Sequence, residues 1–198
     1  MRALLLYLVA GWSGCFVMAV ELLGGRLLAP YFGSSIYVWG AIITVFMLAL
    51  SLGYLAGGRW SLQQPSLRRL GLILLAAAAT TLPVVLGADR ALDALSSRID
   101  DPRAGSLFGA ALLFFVPTVV SGMVSPYAVR LLVAERERAG HNAGMLYFVS
   151  TFGSALGTLL TSFFLVLYFE VNQILWAMIG ISLLIGTGAC AWRGDQVR

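Results

Sequence analysis

The chain has 198 residues, 60% of them hydrophobic and 11% charged, with a formal net charge of +4 and a mean hydropathy of +0.89. Soluble domains carry roughly 25% charged residues, so a water-soluble fold is excluded, and spans of about 20 residues each leave no room for a separate catalytic domain beside a helical bundle. The composition implies one all-α membrane domain over residues 1–198, and the pI near 9.4 describes a basic rim facing anionic headgroups, not a nucleic-acid surface.

Six apolar runs bounded by charge, Pro or Gly clusters predict six transmembrane helices. The first, Ala3 to Leu28, is long enough to tilt or break. Within it, Trp12-Ser13-Gly14-Cys15 is similar to a lipoprotein cleavage box, but it has Trp where an aliphatic residue is expected and more membrane sequence follows, so it reads as helix interior. Glu21 is the most informative residue of this run. A carboxylate inside a span costs on the order of 2–3 kcal/mol. Ten Leu, Val and Phe residues lie between Leu4 and Leu23, and at about −0.5 kcal/mol each they offset that cost. The acid must face protein or a wet cavity, either clamped by a basic or hydroxyl partner or serving as a cation or proton site. Arg26 falls at the membrane interface.

The second run, Ile36 to Gly58, holds Gly53 and Gly57, whose spacing lets two helix backbones approach closely, within the bundle or in a dimer. The third, Leu67 to Ala88, contains Pro83, and Thr80 and Thr81 stand ready to bond the carbonyl that a proline frees. From Asp89 to Gly105, four Asp alternate with Arg90, Arg98 and Arg103, which predicts a solvated loop with at most a short surface helix. The fourth run, Ser106 to Val133, contains Pro117 and Pro126. These either kink the helix or break it, so that Ser121, Ser125 and Tyr127 line a cavity. His141 in the next loop reads as exposed. The fifth run, Ala143 to Phe169, carries Gly153 and Gly157, and the sixth extends from Asn172 to Trp192. Cys15 and Cys190 have neither metal spacing nor a disulfide framework and read as packing residues. The sequence contains no Ser-His-Asp set, metal cluster, phosphate loop or nucleotide fingerprint, so no enzyme, metal or cofactor is expected.

Every basic residue is Arg. Arg2, Arg59, Arg68, Arg69, Arg130, Arg136, Arg138, Arg193 and Arg198 fall on one side of the predicted bundle. Arg26, Arg90, Arg98 and Arg103 fall on the other, the last three diluted by Asp. The positive-inside rule then puts both termini in the cytoplasm, consistent with six spans. Pro30-Tyr31 and Pro126-Tyr127 each precede a span with a glycine pair, 23 residues from Pro30 to Gly53 and 27 from Pro126 to Gly153. That spacing predicts a 3+3 inverted repeat of residues 1–88 and 106–192, the arrangement of secondary transporters.

A family resemblance rests on two stretches. The first runs from Glu21 through Gly24-Gly25-Arg26 and Pro30-Tyr31-Phe32-Gly33 to Ser35, then Trp39 and Leu50 to Arg59. The second comprises Ser121 to Arg130 and Gly144 to Thr158. Together they resemble the membrane domain of bacterial spermidine synthase-like proteins, a major-facilitator-like portion fused to a polyamine aminopropyltransferase. In fused members a synthase domain with a glycine-rich nucleotide-type site follows, and no such site follows here, so the resemblance does not carry aminopropyl transfer over. It implies half of a major-facilitator transporter in the bacterial plasma (inner) membrane, a homodimer in which two halves frame a path, and a small cationic substrate such as a polyamine. The expected substrate-binding residues are Glu21 as charge partner, with Arg26, Tyr31, Tyr54, Ser125, Tyr127, Tyr147 and Ser150. The alternative is a non-transporting membrane anchor that docks a separately encoded aminopropyltransferase on Arg59, Arg68, Arg69, Arg136 and Arg138.

Overall fold

A computed structural model describes residues 2–133 and 139–192. Arg136, Arg138, Arg193 and Arg198 lie outside the described residues. The described chain is helical almost throughout, and six helices are long and apolar enough to cross a membrane. The protein is therefore a multi-pass membrane protein, as its composition requires.

The first span is α1, Arg2–Phe32, ended by Gly33 at φ +81°. At 1.5 Å per residue its 31 residues reach about 46 Å, more than the roughly 30 Å hydrocarbon core. The second span is α2, Ile36–Trp60, and the third is α3, Leu67–Ser96. Ser66 caps α3 by accepting from the Arg69 amide at 3.2 Å. The fourth span comprises α4, Pro102–Gly122, and α5, Val124–Leu132, divided at Met123. Asp101 caps α4 from the Arg103 amide, with Pro102 in the first turn. The fifth span comprises α6, Ala139–Leu160, a π-helical turn over Thr161–Leu165, and the short α7, Val166–Tyr168. The last is α8, Val171–Ala191, opened by a reciprocal capping box between Glu170 and Gln173.

Two expectations need correction. The stretch 89–105 is mostly helix: α3 continues to Ser96 and α4 starts at Pro102, leaving five residues, 97–101, between them. Ala88 and Leu92 are buried and Leu95 packs against the same core, while Asp89, Arg90 and Asp93 point outward. An amphipathic turn thus extends the span beyond its uncharged part. Nor do the hydroxyls near the prolines bond the freed carbonyls. Pro83 frees Ala79, yet Thr81 donates to Ala77 at 2.8 Å and Thr80 to Ala76 at 2.9 Å. Ser121 donates to Pro117 itself at 2.8 Å.

Helices α3 and α4 pass through Pro83 and Pro117 unbroken. The fourth span is kinked at Met123, where the backbone stays right-handed (φ −65°, ψ −23°) while the regular hydrogen-bond ladder lapses. Pro126 has no N–H to offer the Gly122 carbonyl, which accounts for the lapse.

Three close crossings hold the bundle together, each made by glycines. On α2, a Cβ at Gly53 would lie 2.9 Å from the Gly122 Cα, and one at Gly57 would lie 2.6 Å from the Met123 Cα. On α6, a Cβ at Gly153 would lie 2.9 Å from the Gly11 Cα and one at Gly157 2.7 Å from the Cys15 Cα, both on α1. Both glycine pairs therefore pack inside the bundle. The third crossing, of Gly71 on α3 with Gly186 and Cys190 on α8, has no glycine pair to announce it. A Trp12 Nε1 to Ser182 Oγ hydrogen bond of 2.9 Å ties α1 to α8.

Candidate functional site

Helix α1 runs through the middle of the bundle, and the two glycine crossings draw α4 onto α2 and α6 onto α1. Between these pairs remains a cavity of about 190 Å³, bordered by α1, α2, the α4–α5 kink and α6. Val17, Met18 and Leu50 supply its apolar surface and six hydroxyls its polar surface. Three of those hydroxyls are turned to carbonyls: Ser13 donates to Ser121 at 3.4 Å, Ser121 to Pro117, and Ser154 to Ser150 at 3.1 Å. Those of Tyr54, Ser125 and Ser150 have no hydrogen-bond partner among the described residues.

Ser121 and Ser125, one turn apart across the Met123 kink, lie on one face and both border the same space. Gly14 gives α6 its access. A Cβ there would meet the Ser154 Oγ at 2.7 Å, pressing directly on the serines of the cavity wall.

Glu21 does not line the cavity, but it belongs to the same face of α1. At 100° per residue, Ser13, Gly14, Val17, Met18 and Glu21 fall within one arc of about 140°, with Glu21 near its centre. It stands one turn, about 6 Å, beyond Val17, toward the end of the bundle opposite the Arg-rich one. Its carboxylate is half-buried and forms no hydrogen bond or ion pair with another described residue. The clamp that would have explained a buried acid structurally is not present among these residues. Arg26, the nearest basic residue in sequence, instead donates from Nη1 to the Val166 carbonyl at 3.1 Å, fastening α1 to the end of the π-helical turn.

The remaining candidates separate clearly. Tyr147 is 55% exposed on α6, and Tyr54 is 48% exposed on α2, within electrostatic reach across the opening. Tyr31 reaches the Asp89 carboxylate at 3.5 Å, far from the cavity at the end of α1. Tyr127 is fully buried, accepts from the Ser66 amide at 3.3 Å and meets Trp60 edge-on. It is therefore a packing residue and does not line a cavity. Ser121, expected to line a cavity with Ser125, does so, whereas Ser13 and Ser154 complete the polar wall without having been expected there. The signal for Ser13 was its place on the Glu21 face of α1.

Outside this cavity, Cys15 borders an apolar groove of about 390 Å³ between α1 and α6. Both cysteines are free, and Cys190 donates weakly to the Arg68 carbonyl at 3.4 Å. His141 is exposed. No family model, curated protein or solved structure matches the chain.

Proposed function

We propose that this protein binds and moves a small organic cation across the bacterial plasma membrane, the cation carrying an amine and being of the polyamine class. What supports the reading most is the pairing of three unpartnered hydroxyls in a mid-membrane cavity with an unpaired carboxylate one turn beyond it on the same helix face. An ammonium needs a negative charge and hydrogen-bond acceptors when it leaves water. Glu21 supplies the first, and the oxygens of Tyr54, Ser125 and Ser150 the second. Ser13 and Glu21 are eight residues apart, about 12 Å along the helix, which suits an extended cation with its charged end at Glu21 and its polar remainder among the hydroxyls.

The resemblance to the membrane portion of spermidine synthase-like proteins points to the same substrate class. The reading also places the Arg-rich end, with Arg2, Arg59, Arg68, Arg69 and Arg130, in the cytoplasm. An inverted repeat belongs to it as well. In two of the three close crossings the second span of one half packs on the first span of the other, α2 on α4 and α6 on α1, as an exchange of halves requires. The Pro-Tyr pairs are not the equivalent points, since Tyr31 lies at a helix end and Tyr127 in the core.

Uptake of labelled putrescine and spermidine into proteoliposomes, with Glu21→Gln as control, tests the proposal. Saturable flux lost in the variant supports it, and absence of flux for both amines ends it. A second reading, docking of a separate aminopropyltransferase, draws on the exposure of Arg59 and Arg68 at the Arg-rich end, and co-purification with such an enzyme would favour it.

A further inference from the structure

Four hydroxyl side chains lie between residues 154 and 162 of the fifth span. Three of them donate one turn back along their own helix, Ser154 to Ser150, Thr158 to Ser154 and Ser162 to Thr158, at 2.7–3.1 Å. Thr161 breaks the pattern. It opens the π-helical turn, is fully buried, and its Oγ1 has no partner among the described residues. The helix register sets this hydroxyl opposite Glu21. A Cβ on Gly14 would lie 2.7 Å from the Ser154 Oγ, and Arg26 reaches the Val166 carbonyl at 3.1 Å. Each of these pairs is 140 residues apart, and so are Glu21 and Thr161. The step from Gly14 to Glu21 equals that from Ser154 to Thr161 and falls about 20° short of two turns, so both residues stay on the face that the helices share. The π turn itself packs on α1.

We infer that Thr161 is the positioning residue for Glu21 when a cation binds, donating from Oγ1 to one carboxylate oxygen while the ammonium takes the other. A cation bound toward the hydroxyl cavity draws the half-buried carboxylate inward, and a carboxylate that leaves water needs more than one donor. The neighbouring hydroxyls of the fifth span are spent on carbonyls, and so is Arg26. Thr161 is the free donor opposite the acid. Burial and its β-branch fix Thr161, whereas Glu21 turns about several side-chain bonds, so the acid makes the movement. The inference rests on Glu21 being the cation's charge partner.

The test compares the full chain with its Thr161→Val and Thr161→Ser variants in liposomes. Valine keeps the shape and removes a hydroxyl without a partner among the described residues, so folding is preserved. Equilibrium binding of labelled spermidine should weaken roughly tenfold in Thr161→Val, the loss of one hydrogen bond to a charged group, and return to the parent value in Thr161→Ser. Infrared difference spectra of protein carrying isotope-labelled glutamate, taken at saturating spermidine, should show carboxylate bands that move in Thr161→Val and are restored in Thr161→Ser. A parent that binds spermidine and a valine variant that binds it equally well overturn the inference and leave the function standing. Weakened binding that serine does not restore, or unmoved carboxylate bands, assigns Thr161 to packing and overturns it too. A parent that binds no spermidine removes both the proposed function and this inference.

Discussion

Replacing Gly157 by Ala adds one methyl at the point where α6 touches α1. The new Cβ would sit 2.7 Å from the Cys15 Cα, and closer still to the Cys15 carbonyl oxygen. Carbon atoms in contact prefer about 3.5–4.0 Å, so the two backbones must part by about 1 Å; neither can rotate away as a side chain would. Overpacking of this kind costs about 1–3 kcal/mol, against which removing a helical glycine returns about 1 kcal/mol. The net expectation is a loss of about 1–2 kcal/mol, concentrated on α6, which has little besides α1 to hold it. Gly180→Ala is the control, because nothing lies within 4 Å of a Cβ there, and it should be neutral or stabilising by up to about 1 kcal/mol. Unfolding in mixed micelles followed by tryptophan fluorescence compares the two. If both substitutions move the midpoint in the same direction, the close crossing does not exist as described.

Thr161 is fully buried and its hydroxyl has no partner among the described residues, so Thr161→Val should be neutral or stabilising by about 1 kcal/mol in the same unfolding assay. The Trp12–Ser182 hydrogen bond should show a coupling of about 0.6–1.7 kcal/mol in a double-mutant cycle of Trp12→Phe and Ser182→Ala. Ser125→Ala and Ser150→Ala remove hydroxyls that bond nothing among the described residues, so each should leave stability within about 0.5 kcal/mol of the parent while weakening amine binding about tenfold, one lost hydrogen bond to a charged group.

The spans were legible because length and hydropathy determine them directly. The extension of α3 was hidden because Asp and Arg count against a span in any average, whereas the helix continues on the placement of Ala88, Leu92 and Leu95 alone. The kink in the fourth span could be read from Pro126, but not which residues it would turn to the cavity. Ser121 and Ser125 face the cavity and Tyr127 faces the core, a choice made by the rotation of α5 against α3 and α2. The crossing of Gly71 with Gly186 left no trace because single glycines carry no spacing. Glu21 could be singled out from its cost. Its lack of a partner depends on where Arg26 goes, and Arg26 is taken up by the carbonyl at the end of a π-helical turn that no sequence rule foresees.

The central claim is that the face of α1 bearing Ser13 and Glu21 holds an organic cation, and equilibrium binding of labelled spermidine to the purified protein tests it most directly. Saturable binding that Glu21→Gln abolishes, and that Tyr54→Phe combined with Ser150→Ala weakens without loss of folded protein, is the predicted result. Binding of equal strength in the Glu21→Gln variant, or none in the parent protein, would contradict it.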